Sequence, residues 1–260
     1  MPLTWDPNAL TPEAARRRLE EGNLRFLART GQEPRTFRAD LAEQTQQPFA
    51  IVLGCSDSRT PVEILFDEGF GALFVVRIAG NVVAPSGIGS IEFAASQFGT
   101  RLVVVLGHTR CGAIAATVGA LRSGNGPESR NIRSITDRIA PHIESLVRGS
   151  EDDGEDDAPL LRACMRAHVS AAAEQLRKGS PLLEELVRAG RLVVVGAEYE
   201  LETGRVHFLD GSRTGASSGN RGLESSRGRG VGDQDARAAL SFAHDARRGR
   251  HLDPPRRLSE

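Results

Sequence analysis

The sequence predicts an α/β fold, a central mostly parallel β-sheet flanked by helices, with an N-terminal helical arm at about 11–29. Two observations carry this expectation. The apolar runs 49–53, 73–77, 102–106 and 192–196 are Val-rich and continuous rather than alternating, the pattern of strands buried on both faces of a parallel sheet. Helical stretches separate them, and strand alternating with helix is the signature of a wound sheet.

The elements follow in order. Thr11-Pro12-Glu13 offers a capping hydroxyl, a proline at the first helical position and an early acid, so a helix opens there and runs through residues 14–27. Leu19, Phe26 and Leu27 give it an apolar face. Further helices are expected at 89–98, 112–122, 131–148, 159–178 and 181–189, and a final edge strand at 205–209 after the turn at Thr203-Gly204. Two segments stand outside the pattern. The acidic run 151–157 reads as a solvated loop, because like charges without interspersed neutral ligands repel, and the Gly/Ser/Arg-rich tail 211–260 reads as disordered. The chain therefore divides into a main domain at 1–210 and that tail.

A length of 260 residues is enough to bury a real core, and a formal net charge of -1 gives no overall attraction to nucleic acid or to anionic membranes. An odd count of three cysteines cannot form a fully paired disulfide framework, which suits a reducing compartment. Residues 1–18 lack the apolar core of a signal peptide, and no apolar run approaches membrane-spanning length, so the expected location is the cytoplasm. No phosphate loop, dinucleotide fingerprint or aromatic-basic RNA surface is present, leaving a small-molecule enzyme as the expected class.

Chemistry concentrates in two short segments. Cys55-Ser56-Asp57-Ser58-Arg59 closes one apolar run, and His108-Thr109-Arg110-Cys111 closes another. Loops at the carboxyl ends of parallel strands gather at one edge of an open sheet, so two thiolates and an imidazole would face a single point. Three protein ligands is the count for a zinc site that keeps a fourth position open. Cys111 precedes a helix beginning at Gly112, whose N-terminal partial charge favours a thiolate, and Gly112 itself lets the backbone come close to whatever occupies the fourth position. A closed structural site is the competing arrangement, with its fourth ligand from Cys164, Asp57 or a distant histidine. Cys164 lies in an apolar helical stretch and reads as a structural thiol. His142, His168 and His207 have no partner at ligand spacing, and His244 and His251 fall in the tail. Asp57 and Arg59, two apart in an extended loop, can turn the same way, so the arginine fork can hold and orient the carboxylate. Oriented, Asp57 could accept a hydrogen bond from a metal-bound water. Released, it could close the site.

At these residues the chain resembles a β-class carbonic anhydrase. The family signatures CxDxR and HxxC stand here as residues 55–59 and 108–111, and the likeness extends through Gly22-Asn23-x-Arg25-Phe26 and Phe74-Val75-Val76-Arg77-x-Ala79-Gly80-Asn81. The resemblance implies that Cys55, His108 and Cys111 hold Zn2+, and that Asp57 and Arg59 orient a zinc-bound hydroxide for reversible hydration of CO2 to bicarbonate. It further implies that Gln46 and Phe74 line the substrate site, and that the chain forms a homodimer or homotetramer with the N-terminal helix laid on its partner. Phe93 stands where one branch of the family has tyrosine. Val52 replaces the tryptophan of an inhibitory bicarbonate pocket that another branch forms, although Arg77 remains. The motifs alone do not separate this activity from hydrolysis of CS2 or carbonyl sulfide on the same fold, or from a non-catalytic zinc scaffold.

Overall fold

In the computed structural model, which describes residues 10–28, 45–150 and 157–209, the parallel strands are β1 (Ala50–Gly54), β2 (Leu73–Arg77), β3 (Leu102–His108) and β4 (Val193–Tyr199). β5 (Val206–Leu209) returns antiparallel beside β4, and the sheet order is β2-β1-β3-β4-β5. Every expected strand is present, and β3 runs on through His108, so that imidazole leaves from the strand end itself. β1 and β3 are buried along their whole length, as continuous apolar runs require. β2 differs from the expectation. Having one neighbour only, it is half-buried and ends on an exposed Arg77.

Side chains alternate across the sheet and feed two cores. Ile51, Leu53, Val103, Val105 and Val194 pack against α3 (Pro85–Gln97), α4 (Gly112–Ser123), α5 (Arg130–Arg148), α6 (Ala158–Lys178) and α7 (Pro181–Arg188). Their neighbours Ala50, Val52, Leu102, Val104, Leu106 and Val195 pack on the opposite face against α1 (Pro12–Leu27) and the short α2 (Val62–Leu65). Neither α2 nor the 3-10 turn Ala79–Asn81 was expected, because both are too short to show a period. α3 begins at Pro85, four residues ahead of its expected start, since Gly87 and Gly89 make its first turn look like loop.

The Thr11 hydroxyl caps α1 by accepting from the Ala14 amide. The apolar face of α1 is occupied within its own chain. Leu19 is fully buried beside Ala15 in the sheet core, and burial of one such side chain contributes about 2 kcal/mol. Asn23 fastens the helix further: its Nδ2 donates to the Leu65 and Gly204 carbonyls, and its Oδ1 accepts from the Val206 amide. The face expected to lie on a partner is therefore spent locally, and Leu24, 58% exposed, is the large apolar residue that α1 leaves outward. Asp157, last of the acidic run, pairs bidentately with Arg122 at 2.8 and 2.9 Å. The rest of that run and the tail at 211–260 lie outside the described residues.

Candidate metal centre

β1 and β3 are adjacent and parallel, so their carboxyl ends meet. That adjacency brings Cys55, just past β1, to His108 at the end of β3 and Cys111 at the start of α4. One ligand atom from each of the three lies within 4.8 Å of the others, and all three residues are buried. This is the only such group of histidine, cysteine and acidic residues among those described. The Asp57 carboxylate is not part of it.

The donor set fits a soft divalent cation. His108 Nδ1 lies 2.9 Å from the Thr109 carbonyl, which can only accept, so the proton sits on Nδ1 and Nε2 carries the free lone pair. Nε2 is buried, and no described residue offers it a well-formed hydrogen bond. A buried polar atom without a partner costs about 1–3 kcal/mol, and a metal ion at this point would remove that cost.

The two thiols are joined by a hydrogen bond, and their acidities move apart. Cys55 is held far below the usual thiol range, chiefly by a hydrogen bond from Cys111, opposed by burial, and helped by the Gly80 and Asp57 amides. The Gly80 N–H donates to Cys55 Sγ at 3.2 Å. Cys111 moves up, because it donates to Cys55 and is buried, even though the Ile114 and Ala113 amides at the start of α4 pull the other way. The helix-terminus effect expected for Cys111 is thus real but outweighed by its bond to Cys55 and by burial.

Backbone clamps hold the two loops. Arg77 donates from Nε to the Cys55 carbonyl at 3.0 Å and from Nη2 to the Asp57 carbonyl at 2.6 Å. The Thr60 hydroxyl donates to the Asp57 carbonyl at 2.9 Å. Between His108 and Cys111, Arg110 takes a left-handed conformation with φ 54°, uncommon outside glycine. Glu202 secures it, receiving Arg110 Nε at 2.6 Å and the Thr109 hydroxyl at 3.0 Å. Arg77 is consequently tied to the ligand loop. Glu202 escaped sequence reasoning altogether, because a residue 92 positions away from Arg110 carries no local signal.

Asp57 and Arg59 meet as expected. Arg59 Nε and Nη2 donate to Asp57 Oδ1 and Oδ2 at 2.9 and 2.7 Å, and the Arg59 amide adds a bond to Oδ1 at 2.9 Å. These bonds hold the carboxyl well below the usual carboxylate range. Arg59 Nη2 also reaches the Arg110 carbonyl at 3.4 Å, linking the two motif loops. Gly112 is exposed, and a Cβ there would meet nothing within 4 Å, so the space beside its Cα is open. Phe74 is half-buried against the core that contains both cysteines, with its ring centroid 6.5 Å from Phe93 and 6.2 Å from Phe98. Gln46 is exposed ahead of β1. Cys164 is buried on α6, outside the ligand group.

A wound sheet whose strand ends gather two thiols and an imidazole defines an α/β protein with a group able to hold a metal. The carbonic anhydrase family model matches residues 50–206. Carbonic anhydrase 2 of Mycobacterium tuberculosis is 38% identical over 207 residues, covering 78% of this chain and 95% of that protein. The carbonic anhydrase of Mycolicibacterium smegmatis is 39% identical over 210 residues, with the same 78% and 95%. Among solved structures, the β-carbonic anhydrase CcaA aligns with a TM-score of 0.56 at 24% identity, over 75% of this chain and 95% of that one. A tetrameric β-carbonic anhydrase from Sordaria macrospora aligns with a TM-score of 0.55 at 23% identity, over 66% and 84%. The chain belongs to the carbonic anhydrase family, with the fold of its β class, and it is an enzyme of that family.

Proposed function

We propose that this chain catalyses the reversible hydration of CO2 to bicarbonate at a zinc ion held by Cys55, His108 and Cys111. The observation that carries the proposal is the His108 tautomer, which leaves a buried Nε2 lone pair without a partner among the described residues, beside two buried thiols. Zinc bound by three protein ligands lowers the pKa of its water towards about 7 and makes a nucleophile available at neutral pH.

The residues of the chain do the rest. Asp57, kept ionised and aimed by the Arg59 fork, accepts a hydrogen bond from the reacting water through Oδ2, which keeps a lone pair beyond the one used by Arg59, whereas Oδ1 already accepts from both Arg59 Nε and the Arg59 amide. Gly112 leaves room for a substrate oxygen at the start of α4, where the helix terminus favours developing negative charge. Phe74 supplies an apolar wall for CO2, and Gln46 a bicarbonate contact. The chain works as a homodimer or homotetramer, consistent with the tetrameric Sordaria relatives and with exposed Leu24, Phe70 and Phe93. Residues 1–210 form the catalytic domain, and the tail is an appendage. Three free cysteines, and no described helix long and apolar enough to cross a membrane, suit the cytoplasm.

The test is stopped-flow CO2 hydration on purified protein with zinc measured in the same sample. One zinc per chain and a rate well above buffer between pH 7 and 9 are expected. Full zinc with no rate would leave a non-catalytic scaffold, and turnover of CS2 in its place would reassign the substrate.

A further inference from the structure

Behind the metal centre, α5 and α6 bring together two histidines that sequence spacing left without partners. His142 Nδ1 and His168 Nδ1 are 2.9 Å apart, with ring centroids at 5.1 Å. His168 is 1% exposed, and His142 is half-buried. The other nitrogen of His168, Nε2, lies 2.8 Å from the Gly80 carbonyl oxygen. Gly80 is the residue whose N–H donates to Cys55 Sγ.

These contacts fix the protons. A carbonyl only accepts, so His168 Nε2 carries a hydrogen, and in the neutral ring Nδ1 is then an acceptor. His142 must therefore donate from its own Nδ1. Burial and the neighbouring imidazole keep His168 neutral. The His142 bond thus selects the tautomer that His168 presents to Gly80.

Gly80 sits at φ 66°, a left-handed conformation natural to glycine. A Cβ there would come within 2.9 Å of both Ala113 Cβ and Ile139 Cδ1. Ile139 lies one turn ahead of His142 on α5, so the helix that carries His142 also closes over this glycine. Packing thus confines one side of the residue, and the His168 N–H holds its carbonyl.

We propose that His168 is a positioning residue for the metal centre: its Nε2–H, held in that tautomer by His142, anchors the Gly80 carbonyl and keeps the Gly80 N–H aimed at the Cys55 sulfur. The inference rests on Cys55 being a metal ligand. A hydrogen bond to a ligand sulfur draws charge from the thiolate and orients it, and outer partners of this kind tune both affinity and electronic character of a metal site. It also accounts for a polar pair in a core that aliphatic side chains would otherwise fill.

The test compares wild type with His168→Leu, which removes the donor; His168→Gln, which returns an amide N–H near the place of Nε2; and His142→Leu, which frees the tautomer at a half-buried position. Each protein is assayed for zinc affinity by chelator competition and for its thiolate-to-cobalt charge-transfer band after Co2+ loading. His168→Leu is expected to weaken zinc binding about tenfold, the usual scale for loss of an outer partner, and to move the band to longer wavelength as the sulfur becomes richer in charge. His142→Leu moves both in the same direction by less, and His168→Gln restores both. A folded His168→Leu or His142→Leu with wild-type affinity and band overturns the assignment. So does His168→Gln failing as badly as His168→Leu, which would mark a packing role. Wild-type protein that takes up neither metal would overturn the metal-centre reading itself, a result distinct from normal loading with unresponsive variants.

Discussion

Asp57 and Arg59 lock each other through two parallel hydrogen bonds of 2.9 and 2.7 Å, with a third from the Arg59 amide. The carboxylate is therefore committed away from the Cys55, His108 and Cys111 group, while Oδ2 keeps one lone pair usable. Both fates open to Asp57 in the sequence, orienting a water or closing the site, turn on this fork. The structure has it closed on Arg59.

Breaking the fork by steps separates the two fates. Asp57→Asn keeps the shape but accepts less well, and should cost about a hundredfold or more in CO2 hydration while zinc stays at one per chain. Arg59→Lys replaces two parallel donors with a point charge and should also lose activity, because Asp57 is freed to reach the metal. Zinc-edge absorption spectroscopy checks this. A fourth carboxylate ligand in Arg59→Lys and not in wild type is the expected outcome, and identical coordination in both would show that Arg59 does not hold the site open.

Loss of a ligand should behave differently. Cys111→Ala removes one of the three donors and leaves Cys55 without its hydrogen-bonding partner, so zinc content should fall close to zero while far-ultraviolet circular dichroism stays native. Cys164→Ala, at a buried thiol on the far helix, should keep its zinc. Equal metal loss in both would mean that the cysteines act through folding alone.

Legibility followed the range of the signal. β1 and β3 were readable because a Val-rich run records burial on both faces in its own composition, and their adjacency then placed Cys55 beside His108 and Cys111. The Asp57–Arg59 fork was readable because two residues of spacing decide it. Arg77 was visible as a residue, but its hold on the Cys55 and Asp57 carbonyls depends on β2 pairing with β1 in register. Glu202 and the His142–His168 pair were invisible, since their partners lie on other elements. The apolar face of α1 was seen correctly and its occupant was not, because hydrophobic periodicity says that a face is buried without saying against what.

Gly22 tests that intramolecular docking of α1. A Cβ at this position would stand 1.9 Å from the Phe66 carbonyl oxygen, a backbone atom that cannot swing aside. Gly22→Ala should therefore destabilise by about 2 kcal/mol, despite gaining up to about 1 kcal/mol in helix propensity. Gly119→Ala in α4, where a Cβ meets nothing within 4 Å, isolates the propensity gain and should stabilise. Urea unfolding of both variants decides it. A stabilised Gly22→Ala would mean that α1 is not seated on Phe66.

His168 should make folding sensitive to acid. Burial, with the His142 ring adding to it, pushes its pKa down to about 4, against an ordinary value of 6.5. Above about 6.5 the imidazole is neutral whether the chain is folded or not, and its contribution is complete. As pH falls from there towards about 4, the unfolded chain takes up a proton that the folded one refuses, so stability drops. Below about 4 both states are protonated, and no more is lost from this group. A window of about 2.5 units at 1.36 kcal/mol each amounts to about 3 kcal/mol. In His168→Gln, which cannot charge, that component should vanish, so its stability should converge on or pass that of wild type between pH 6.5 and 4.5 in urea titrations. Curves that stay parallel through this window would show that His168 is protonated in the folded protein, and that its Nε2 bond to Gly80 survives with the ring charged.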